Sequence, residues 1–81
     1  MLSNIPANLK ITCFQTTVTY GSDHWATIAS GRTDWTFFVP IVTWDQARTT
    51  HIAATPNGND ISIYDAARTG TFNVNVLCVG F

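Results

Sequence analysis

The chain reads as a small all-β protein, an antiparallel β-sandwich of about six strands, on three observations. Thr, Val, Ile and aromatic residues dominate, while the helix formers Glu, Lys and Leu are scarce and no window keeps a helical period. Apolar and polar residues alternate over short stretches, as in strands with one dry and one wet face. Turn-forming residues recur at regular intervals between those stretches.

The elements follow in order. A first strand is expected over residues 9–19, where Leu9, Ile11 and Cys13 alternate with Lys10 and Thr12. Tyr20-Gly21-Ser22-Asp23 reads as a turn, residues 24–29 as a second strand, and Ser30 to Asp34 as a loop. A third strand is expected over 35–44. Its Pro40 cannot donate to a ladder, which calls for an edge, a bulge or a break there. After a connection at 45–49, a fourth strand covers 50–55. Pro56-Asn57-Gly58-Asn59-Asp60 is the clearest turn signal in the chain. Residues 61–64 return with Ile61 and Ile63 inward, 65–70 turn again, and residues 71–81 close the sheet.

That last segment carries most information. Phe72, Val74 and Val76 alternate with Thr71, Asn73 and Asn75, and then Leu77, Val79 and Phe81 make the second face apolar as well. A strand dry on both faces needs a cover, and the cover expected in so short a chain is another copy, with Leu77, Val79 and Phe81 at the oligomer interface. At 81 residues the chain makes one domain (1–81, with 1–8 as an N-terminal arm). A domain of this size buries only about 60–65% of its unfolded surface. Charged residues are 11% of the chain, glutamate is absent and Lys10 is the sole lysine, against about 25% charge in ordinary domains. Such a surface suits subunit contacts.

Several function classes lose support. A net charge of −1 with four scattered cations gives no drive toward nucleic acid. No signal-peptide pattern opens the chain and no apolar run approaches the ~20 residues of a membrane helix, so a soluble protein without membrane insertion is expected. No metal-ligand spacing occurs, and neither a metal nor another cofactor is expected. Ser22, Asp23 and His24 lie too close together in one turn to form a triad, and the absence of Glu weakens a two-carboxylate mechanism, so no enzyme is expected. Cys13 and Cys78 stand either as two buried thiols or as a disulfide joining the first and last strands.

The order Phe37-Phe38-Val39-Pro40, an Asn/Gly hairpin, Ile61-x-Ile63, then Gly70-Thr71-Phe72-Asn73-Val74-Asn75-Val76 and a closing Val79-Gly80-Phe81 resembles the C-terminal tip domains of phage tail fibres and receptor-binding proteins, which themselves resemble H-type lectins. The likeness covers residues 35–81. It implies a homotrimer in the virion, assembled in the host cytoplasm, that contacts host-surface glycan, alone or with a longer tail-fibre chain. The alternative it leaves is a structural or trimerisation-assisting component without a ligand. The chain lacks the His-x-His signature by which some tips hold a metal.

Trp35, Trp44, Asp45, Arg48 and His51 form the candidate glycan set, because an indole face stacks on a sugar ring while polar side chains orient hydroxyls. For each tryptophan the competing role is a core or interface aromatic, and for Asp34 and Asp45 it is turn capping.

Overall fold

A computed structural model describes residues 8–46 and 51–81. Those residues form six strands and no helix: β1 (Lys10–Tyr20), β2 (Trp25–Ala29), β3 (Phe38–Trp44), β4 (Ala53–Asn57), β5 (Asp60–Tyr64) and β6 (Gly70–Gly80). Two antiparallel three-stranded sheets result. Sheet A has the order β1-β6-β3 and sheet B the order β2-β5-β4. The expected small antiparallel all-β architecture is therefore present.

The central strands explain the core. β5 buries Ile61 and Ile63 completely, and β6 buries Val74, Val76 and Cys78 on the facing side. Period-two alternation sends these residues between the sheets, where Val18, Tyr20, Ala26, Ile28, Phe38, Val42 and Trp44 join them. The β4–β5 hairpin is tighter than the sequence suggests. Pro56 and Asn57 remain in the strand, and Gly58-Asn59 form a two-residue loop opened by Gly58 at φ +62°. Pro56 is tolerated because β4 is an edge strand, and Pro40 sits in β3, another edge.

The opening of the third strand shifts. Residues 35–37 lie before β3, where Trp35 Nε1 donates to Ser30 Oγ at 2.8 Å. Ser30 is fully buried, yet its hydroxyl also donates to the Arg32 carbonyl at 3.0 Å and its own carbonyl accepts from Thr12 Oγ1 at 2.7 Å. A buried hydroxyl with all its bonds made pins the loop between β2 and β3.

The two cysteines show why neighbouring strands do not suffice for a disulfide. β1 and β6 do pair, with Cys13 opposite Leu77 and Thr12 opposite Cys78. The one-residue offset sends Cys78 into the core and Cys13 to the outside, so both are free thiols. Buried thiol describes Cys78 alone.

Candidate functional site

The registers of β1, β6 and β3 define the outer face of sheet A row by row. Ile11, Val79 and Val39 stand side by side, and Cys13, Leu77 and Ile41 form the next row. Leu9, Phe81 and Phe37 continue the pattern beyond the strand ends. Phe37 and Phe81 exchange backbone hydrogen bonds at 2.9 and 3.0 Å, and their rings lie 6.0 Å apart. Nine apolar side chains thus occupy three consecutive rows.

The face turns polar at the next row, which holds Gln15, Asn75 and Thr43. Beyond it come Thr17 with Asn73, then Thr19 with Thr71. Here the side chains bond across the strands: Gln15 Nε2 donates to Asn75 Oδ1 and Thr17 Oγ1 to Asn73 Oδ1, both at 2.8 Å, and the two threonine hydroxyls lie 3.0 Å apart. No charged residue occurs in the three apolar rows, whereas Asp45, just past the end of β3, borders the polar rows beside Gln15, Thr17 and Asn73.

Exposure makes the apolar rows a candidate site. Of the seven large hydrophobic side chains exposed among the described residues, six are in these rows: Leu9, Ile11, Phe37, Val39, Ile41 and Phe81, at 37–56%. With Leu77 and Val79 half-buried and Cys13 exposed, the open apolar area is on the order of 600 Å², at the upper end of the ~300–600 Å² patches usual on monomers. Leu77, Val79 and Phe81 all belong to it. Only these three were expected at an interface; their six partners lie on β1 and β3 or just before them. Alternation supplied a signal for them, since Ile11 and Cys13, and Val39 and Ile41, repeat at period two.

The candidate glycan residues are dispersed. Trp44 is buried, with Phe72 edge-on at 5.4 Å, Tyr20 at 6.2 Å and the Arg68 guanidinium 5.5 Å from the ring centroid. Only 8% of its surface is exposed, little for a sugar to stack on. Trp35 lies at the other end of β3, stacked on Phe38 at 4.8 Å with the Arg32 guanidinium over it at 5.9 Å. His51 is exposed and borders, with Trp44, an open groove of about 460 Å³ between β3 and β4. Asp45 belongs to a different shallow groove, beside Gln15 and Asn73. Arg48 lies outside the described residues. The structure therefore brings Trp44 and His51 together and separates Trp35 and Asp45 from them.

Other polar groups are engaged locally. The Asp34 carboxylate accepts two bonds of 2.8 Å from Arg32, with the Lys10 ammonium at 3.5 Å, and these contacts hold its pKa down to about 2. Asp23 Oδ1 accepts from the Trp25 amide, and His24 Nδ1 donates to the Arg68 carbonyl at 2.7 Å. His24 takes φ +67° in this turn. Among the described residues no three His, Cys, Asp or Glu side chains gather as metal ligands, and no helix is long and apolar enough to cross a membrane.

The tryptophan that sequence reasoning passed over is Trp25. It is 48% exposed on the outer face of sheet B, 5.0 Å from the Tyr64 ring, and the adjoining row there is Thr27, Ser62 and Thr55. Parity offers the signal here too, because Ala26 and Ile28 face inward. No protein-family model, curated protein or solved structure matches the chain.

Proposed function

We propose that the chain is a non-enzymatic assembly module that works as a homo-oligomer, with the outer face of sheet A as its subunit interface. A trimer in a tail-fibre tip, joined to a longer fibre chain in the virion, is the setting drawn from the motif resemblance. The supporting observation is the three apolar rows. They place six of the seven exposed large hydrophobic side chains among the described residues in one uncharged patch, and a patch of that kind is normally covered in a working protein. Multi-angle light scattering on the purified chain tests the reading. A stable oligomer is expected, and a monomer across the accessible concentration range contradicts it.

A second reading, attachment to host-surface carbohydrate, draws on Trp25 rather than Trp44. With sheet A turned inward, sheet B faces out and presents a half-exposed indole beside Tyr64 and a row of hydroxyls. Stacking on a pyranose face suits that surface. Glycan-array binding that Trp25→Ala abolishes supports it, and an array without signal leaves only the assembly role.

A further inference from the structure

We infer that the copies in this assembly lie parallel, their symmetry axis running along β6, so that each row of the sheet A face meets the same row of another copy. The inference rests on the homo-oligomer reading and adds the occupant of the face and its direction. The occupant is the same face of a further copy.

Size supports the occupant. Two faces of on the order of 600 Å² each would bury about 1,200 Å² in total, the lower bound of standard specific interfaces, before any contribution from the polar rows. Chemistry supports it as well. The three apolar rows lack charge, so identical apolar halves meet without like-charge repulsion, the usual obstacle to self-pairing, and Asp45 stands at the border of the polar half.

Direction follows from the polarity step between Leu77 and Asn75. In a parallel arrangement the Leu9-to-Ile41 half lies on its equivalent, and the Gln15/Asn75 half meets its own equivalent, over the full length of the strands. An antiparallel arrangement with the same overlap would set Asn73 and Thr17 against Ile11 and Val79, desolvating amides and hydroxyls against hydrocarbon. Restricting antiparallel overlap to the apolar rows avoids that cost but leaves half the face unmatched. The polar half is suited to partial burial, because its side chains already bond one another across β1 and β6.

Spin-label distances decide the direction. Thr71 lies eight residues from Val79 along β6, about 27 Å by strand rise. A Thr71→Cys label in a Cys13→Ser background is selective, since Cys78 is fully buried. Dipolar spectroscopy on the oligomer is expected to give an inter-label distance below about 25 Å for parallel copies, against roughly 50 Å for antiparallel copies centred on Val79. Ser22→Cys, in the exposed turn at the same end, provides a second labelling site off the face and should give the same ordering. A long distance in an intact oligomer overturns the parallel arrangement and leaves assembly standing. A monomer without dipolar coupling overturns both.

Discussion

The two halves of the sheet A outer face are built on the same backbone ladder but differ in how their side chains are satisfied. On β1, the outward-facing Gln15, Thr17 and Thr19 each find a hydrogen-bonding side chain directly across on β6. From Leu9 to Cys13, the neighbours are Phe81, Val79 and Leu77, and their apolar surface has only one another and solvent. One half is complete within a single chain and the other is not. The contrast locates the centre of the interface in the half that an isolated subunit leaves unsatisfied.

The sharpest break of that contrast compares the inner and outer faces. Ile63, fully buried on β5, is expected to lose about 2–5 kcal/mol of folding stability on Ile63→Ala. Ile41→Ala, at 50% exposure, should cost under about 1 kcal/mol in urea titrations run dilute enough to hold the chain monomeric. Equal losses would place Ile41 in the internal core. Next in size, Leu77→Asp or Val79→Asp should weaken association by at least about a hundredfold, through burial of an unpaired carboxylate, while circular dichroism retains the strand signal. Unfolding without any change in oligomeric state would reassign those residues to the core.

A third prediction concerns the cluster at the far end of β1. Tyr20 is buried against Trp44 and Phe72, and burial together with the nearby Asp65 carboxylate raises its pKa to about 12. The folded state holds the phenolic proton more tightly than the unfolded chain, whose value is 10.0. Its contribution is complete below pH 10 and is lost as pH rises toward 12. Tyr20→Phe should flatten this alkaline slope in thermal melts. It should not reduce stability at neutral pH, because the hydroxyl has no hydrogen-bond partner among the described residues. A Phe variant that keeps the slope would assign it to another group.

The smallest effect belongs to Asp34. Its lowered pKa gives a contribution present above the ordinary carboxylate value and lost as pH falls toward about 2. The group is exposed, so Asp34→Asn should move the acid midpoint only slightly.

The fold class was legible because β5 and β6 alternate cleanly: Ile61 and Ile63, and Phe72, Val74 and Val76, each share one parity. β3 was harder, since Phe37, Phe38, Val39, Ile41 and Val42 supply apolar residues to both faces and hide which parity is inside. That ambiguity hides the inward parity that Trp44 shares with Phe38 and Val42. Cys13 and Cys78 illustrate a different limit. Pairing of the end strands was foreseeable, but the register that turns the two thiols to opposite faces depends on the whole ladder. For the candidate site, Leu77, Val79 and Phe81 were visible in one segment, whereas their six neighbours required knowing that β1 and β3 flank β6.

Sedimentation equilibrium of the unmodified chain alongside Val39→Asp decides whether the sheet A face joins copies of the chain. Val39 is 49% exposed in the middle apolar row, on the opposite side of β6 from Ile11. An oligomer is expected for the unmodified chain and a folded monomer for the variant. An unmodified chain that sediments as a monomer at every concentration would contradict that expectation.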